Sequence, residues 1–262
     1  MSITLSTGAT GMLAQQLNVD VISNNIANMT TTGYKRQRAE FQDLLYQNKI
    51  RPGSTSSDAG TTVPAGIQLG LGVKTGSVYR INEQGPLQNT DNEFDLAIVG
   101  SGYFQITLPS GETAYTRDGS FQINENGEVV TSEGYLLEPS ISVPDDAIDV
   151  TINGSGEVLV KIQGQVALSN LGQLELAVFQ NPAGLEAIGD NLFMETDGSG
   201  AAVIGTPNTE GFGKLQQGAL ETSNVNVVQE ITNLIQAQRA YEMNAKVIQA
   251  GDEMLSTINQ LR

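Results

Sequence analysis

Apolar residues recur at two different periods along the chain, and the change of period divides it. Near the N-terminus, Leu5, Met12, Val19 and Ile26 return every seven positions, with Ala9, Leu13, Leu17 and Ile22 beside them. A seven-residue repeat with apolar flanks draws one broad stripe along an α-helix, with a coiled-coil character. The pattern stops at "NMTTTGY", where three threonines and Gly33 weaken a helix. At the other end Val227, Leu234, Tyr241, Ile248 and Leu255 hold one heptad position. Ile231 and Ala245 take the companion position, which Gln238 and Asp252 interrupt. This predicts a helix from about Val225 onward, with Ser223 or Asn224 as its N-cap.

Between the ends the helical period disappears. "FDLAIVGSGYFQITL" predicts two strands around a glycine turn, and "QLELAVFQN" another strand. Asp118-Gly119 and Asn126-Gly127 are strong hairpin signals, and Gly154 and Gly156 mark a further turn. A mostly antiparallel β-domain is therefore expected over residues 94–181. Connecting segments fill 34–93 and 182–222, and helical regions 1–33 and 223–262. Within the first connection, residues 48–76 are rich in Gly, Ser, Thr and Pro and read as a linker or a poorly folded, extended arm. The expected class is α+β: long N- and C-terminal coiled-coil-type helices forming a stalk, with the β-domain inserted.

Composition narrows the chemistry. The chain carries 29 acidic and 13 basic residues, a net charge of −16, and has no Cys and no His. Such a field repels nucleic acid. Thiol nucleophiles, disulfides, a histidine base and the common zinc ligands are all missing. "GIQLGLGVKTG" lacks phosphate-loop spacing, and "INENGE" and "TDGSG" lack the ligand order of a calcium loop. Asp145-Asp146 reads as an exposed loop rather than an acid–base pair. No catalytic residue, metal or cofactor is expected, no apolar run is long enough to span a membrane, and "MSITLSTGATGMLAQQ" has no Sec-type leader pattern.

The polar side of the N-terminal segment is written in Asn, Gln, Ser and Thr, and the first basic residue is Lys35. Amides and hydroxyls both donate and accept, so they can satisfy identical neighbours where like charges would repel. Stripes this broad are too wide for a two-helix pair to cover, and further copies of the same helices are the natural partners. A helical hairpin packed on the chain's own β-domain stays open as an alternative, as does folding of the helices only on assembly.

Several long motifs carry a resemblance. "SNNIANMTTTGYKRQRAEFQDLLYQ", "FDLAIVGSGYFQI", "YTRDGSFQINENGEVVTSEGYLL" and "QQGALETSNVNVVQEITNLIQAQRAYEMNAKVIQAGDEMLSTINQL" are similar to the bacterial flagellar rod and hook axial protein family. The resemblance implies a non-enzymatic subunit of the rod, at its distal part, exported without a cleaved leader and polymerised into a rigid helical tube around an export channel. The implied partners are other copies, proximal rod proteins, the hook protein, the surrounding basal-body rings and the export apparatus. The heptad stripes give the expected helix-packing and self-assembly positions: Leu5, Met12, Leu13, Leu17, Val19, Ile22, Ile26, Val227, Ile231, Leu234, Tyr241, Ala245, Ile248 and Leu255. Asn24, Asn25, Ala27, Asn28, Thr32, Gly33, Tyr34 and Lys35 fall in the family motif, where Asn25 and Asn28 are expected to bond backbone at a packing junction. The arm, with Arg51, Pro52, Gly53, Pro64, Gly66 and Gly70, is associated in the family with a straight rod. Rival readings are a proximal rod or hook subunit, a stalked glycan-binding β-domain, and a carboxylate hydrolase.

Overall fold

The two ends with seven-residue apolar repeats form the helices, α1 (Ile3–Ala27), which carries Asp20 as its one charged residue, and α2 (Val227–Gln260). The computed structural model describes residues 3–52, 65–164 and 167–260. The chain is α+β, with a mostly antiparallel β-rich region between the helices in sequence. It divides into two units. One is formed by Met1–Ile26, Gln37–Tyr79 and Asn226–Arg262, the other by Ala27–Arg36 and Arg80–Val225.

In the first unit α1 and α2 run antiparallel. Leu5 lies beside Gly251, Gly8 beside Ile248, Gly11 beside Asn244, and Asn25 beside Glu230. The N-cap of α2 is Asn226, not Ser223 or Asn224. Asn226 Oδ1 accepts from the Gln229 N–H at 3.2 Å, and its carbonyl accepts the first helical bond from Glu230 at 3.0 Å. Glu230 then places an acidic group in the first turn, which suits the helix dipole.

Beside the helices lies a β-ribbon. Strand β1 (Gln37–Asp43) pairs with β4 (Val73–Arg80), and β2 (Tyr46–Ile50) with β3 (Ile67–Gly70). Leu44 N–H donates to Gly72 O at 2.8 Å and Leu71 N–H to Leu45 O at 3.2 Å, so the two ladders join. Both ends of the arm expected to be poorly folded are thus paired strand. The alternation in "YQNKI" and "IQLG" was hidden by the Gly/Ser/Thr composition between them. Arg51 and Pro52 are exposed, Gly66 half-buried and Gly70 exposed. Gly53 and Pro64 lie outside the described residues. The ribbon meets α1 at Gly72, whose φ is +120°. A Cβ there would overlap Thr10 Oγ1, which also accepts from Val73 N–H at 3.4 Å.

The second unit holds an antiparallel seven-stranded sheet. Its strands run in spatial order 186–189, 192–194, 113–116, 104–107, 136–138, 129–130 and 122–123. A three-stranded sheet of 147–152, 157–162 and 169–173 accompanies it, and strand pairs 96–99 with 214–217 and 87–89 with 219–221 complete much of the unit. Strands therefore continue well beyond residues 94–181, into segments that composition marks only as connections. The core is fully apolar around Phe104, Phe121, Ile106, Leu137, Leu176 and Val160, with Phe104 and Phe121 edge to face at 5.1 Å. Each such side chain contributes roughly 1.5–3 kcal/mol on burial.

Asn126-Gly127 does turn a hairpin: Ile123 pairs with Val129, and Gly127 has φ +79°. Asp118-Gly119 does not. The strands on either side of it are not neighbours in the sheet. Instead Asp118 Oδ1 accepts from Ser120 N–H and Oγ, and Gly119 O accepts from Leu96 N–H. A Cβ on Gly119 would lie 1.7 Å from Leu96 O, so that glycine is required by space rather than by a hairpin.

Candidate functional site

The helix faces come first. Among the expected packing positions, Ile22 is buried. Leu5, Met12, Leu17, Val19, Ile26, Val227, Leu234, Ala245 and Ile248 are half-buried. Leu13, Ile231, Tyr241 and Leu255 are exposed, Leu13 by 67%. The buried positions of α2 are instead Glu230, Ala237 and Gly251, which share one heptad register with the half-buried Asn244. On α1 the buried positions are Gly8, Ala14, Val21, Ile22 and Asn25. A Cβ on Gly8 would come within 2.7 Å of Ile248 Cγ1. The helices thus approach through small residues, and this close seam leaves large side chains in solvent. Val228, Ile235, Met243, Val247, Met254 and Ile258 are all exposed, Val228 by 76% and Met243 by 67%. A search for large apolar residues at heptad spacing misses a seam made of Gly, Ala and Asn.

The motif residues sort by what they bond. Asn25 is 1% exposed. Its Nδ2 donates to Gln37 O and its Oδ1 accepts from Gln37 N–H, both at 2.8 Å, so it mimics a strand partner for β1. Nδ2 also reaches Glu230 Oε2 at 3.3 Å. Asn28 accepts from Thr31 Oγ1 at 3.1 Å, within its own turn. Asn24 and Ala27 are exposed, and Thr32 and Tyr34 half-buried. Gly33 combines φ +68° with a site where a Cβ would come within 2.9 Å of Arg117 C, and its N–H donates to Glu221 O. Any side chain there is opposed both by conformation and by space.

Lys35 ends the motif in a buried charge cluster. Its Nζ lies 2.5 Å from Glu221 Oε1 and donates to Glu83 O at 2.9 Å. Arg117 Nε lies 2.6 Å from Glu221 Oε2, and its other nitrogens donate to the carbonyls of Ile98, Gly100 and Gly102. Gly85 N–H donates to Glu221 Oε1 at 2.8 Å. Burial pushes the Glu221 carboxyl up, but Arg117, Lys35 and the Gly85 amide together outweigh it and hold the group below its ordinary range. Burial pulls the Lys35 ammonium below 10.5, against the raising effect of Glu221.

Beside this cluster Asn224 ties two connections together. Its Oδ1 accepts from Arg36 N–H at 2.7 Å and its Nδ2 donates to the Ile81 and Glu83 carbonyls. Neither Glu221 nor Arg117 stands out in the sequence. The one available signal is Lys35, the first basic residue of the chain, at the head of the charged run "KRQRAE", which asks for an acidic partner without saying where. Among the described residues, no group of three or more His, Cys, Asp or Glu side chains is placed to hold a metal, and no helix is long and apolar enough to cross a membrane.

Paired terminal helices with uncovered apolar faces, enclosing in sequence a β-domain with its own core, define an α+β structural subunit. Residues 5–35 match the model of the flagella basal body rod protein. Residues 97–160 match that of the flagellar hook protein FlgE/F/G D1 domain, and residues 216–261 that of the flagellar basal body rod FlgEFG protein C-terminal region. Relatives named flagellar basal-body rod protein FlgG include one from Caulobacter vibrioides, 60% identical over 98% of both chains. Others come from Agrobacterium fabrum, 50% identical over 98% of both, and Bacillus subtilis, 38% identical over 98% of both. The chain belongs to the flagellar rod and hook protein family, a family of structural subunits.

Proposed function

We propose that this chain is a subunit of the distal rod of the flagellar basal body, polymerising into a stiff helical tube that carries torque from motor to hook and surrounds an export channel. The observation that carries the reading is the row of exposed large apolar residues on α2, which the close glycine–alanine seam with α1 leaves uncovered. Exposed apolar area of this kind marks an interaction surface. Contacts between unlike faces of identical chains propagate into a filament rather than closing. Leu13, Ile231, Tyr241 and Leu255, exposed in the single chain, then become buried contacts between copies. The proximal rod, the hook, the basal-body rings and the export apparatus are the further partners of this reading. The arm supplies axial stiffness, and its paired ends in β2 and β3 give it a defined ribbon to do so.

Electron microscopy of the purified chain under assembling conditions tests this. The expected result is elongated straight tubes. A double substitution Ile235→Glu and Met243→Glu leaves the single chain folded, because both positions are exposed, and abolishes the tubes. Discrete trimers of fixed size would overturn the reading, as would tubes formed equally well by the double variant.

A further inference from the structure

Within the second unit a cavity of about 290 Å³ opens beside the charge cluster, lined by Lys35, Arg117, Tyr103 and Asn82 on its polar side and by Val178, Phe179 and Pro182 on its apolar side. Three features of this cavity point the same way. Two cations face one carboxylate, so the cluster carries a net charge of +1. Lys35 uses two of its three N–H donors, on Glu221 and Glu83. Arg117 uses four of its five, on Glu221, Gly102, Ile98 and Gly100. Finally, Tyr103 also lines the cavity, and its hydroxyl makes no hydrogen bond to the described residues. The cavity therefore presents unused donors, an excess positive charge and an apolar wall together.

We infer that this cavity is a binding site for a carboxylate group. One negative charge balances the excess of the cluster, whereas a phosphate would bring close to two and leave an uncompensated charge in a buried place. The N–H donors of Lys35 and Arg117 take the carboxylate oxygens, the Tyr103 hydroxyl supplies a further donor, and Val178, Phe179 and Pro182 receive methylene groups. The acid can come from two sources: a free small carboxylic acid, or an Asp or Glu side chain of a second copy in a polymer of this acidic chain.

Sodium acetate is the probe. It is titrated into the full-length, isotope-labelled chain at constant ionic strength, with sodium chloride as the reference salt, and the amide resonances of Gly100, Ser101, Gly102 and Tyr103 are followed by NMR. The expected result is a saturable shift with acetate that chloride does not produce. Asn82→Asp, an exposed position on the rim, weakens binding about tenfold through like-charge repulsion. Tyr103→Phe, which keeps the ring, weakens it about threefold through loss of one hydrogen bond. Resonances of the sheet core report that both variants stay folded. A linear response, an equal response to chloride, or unchanged binding in Asn82→Asp overturns the site. In assembled polymer, loss of acetate binding identifies a neighbour's side chain as the occupant, and retention identifies a free acid.

Discussion

At the scale of single residues, two buried polar groups hold connections in place. Glu221 is 1% exposed and neutralises two cations. Replacing it with Gln leaves Lys35 and Arg117 facing each other without a counter-charge, an expected loss of about 3–5 kcal/mol at neutral pH. Thermal unfolding read across pH adds a sign. The folded-state value of Glu221 lies below its ordinary one, so its contribution is complete above about pH 4.5 and is lost as pH falls through the folded value. Glu221→Gln should lower Tm at neutral pH and flatten that part of the acid limb; an acid limb of unchanged slope would remove the assignment. Asn25 is the second group. Asn25→Leu preserves size but strips the Gln37 N–H and carbonyl of their partner, an expected loss of about 2–3 kcal/mol in chemical denaturation. A change under about 0.5 kcal/mol would mean that the amide pairing contributes nothing.

At the scale of elements, the helices were legible from periodicity alone, because a stripe of large residues every seven positions survives any context. Their mutual seam was not. Gly8, Ala14, Ala237 and Gly251 carry no hydrophobic signal, yet small residues let two helices come close enough for Gly8 to touch Ile248. Of the large residues that made the helices visible, Leu13, Ile231, Tyr241 and Leu255 are left outside in the single chain, and most of the others are only half-buried. The Asn126-Gly127 turn was legible because a positive φ has a residue signature. Gly119 carried the same signature for another cause, the closeness of Leu96. The ribbon was obscured by the composition of the arm, and Glu221 by lying 186 positions from Lys35. Long-range pairing of that kind leaves no local pattern. Gly8→Val tests the seam: it should loosen the helix pair by about 1–3 kcal/mol through overpacking, seen as faster amide exchange across α1 and α2. Unchanged exchange would show that the close approach is not needed.

At the scale of the whole molecule, exposed apolar surface on both terminal helices has to be reconciled with a chain that is strongly acidic and otherwise well buried in its β-domain. The proposed assembly would reconcile them: the net charge favours solubility of the free chain, and copies would cover the faces that the seam leaves open. The arm belongs to the same account. Deleting residues 48–72 should leave tubes that form but bend more readily, and tubes of unchanged stiffness would detach rigidity from the arm. The central claim is read most directly from two methionines on α2. Met243 and Met254 are 67% and 58% exposed in the single chain. Their peroxide oxidation rates, measured by mass spectrometry in dispersed and in assembled protein, should fall severalfold on assembly as neighbouring copies cover them. Rates that stay equal in the two states would contradict the burial of these helices between copies.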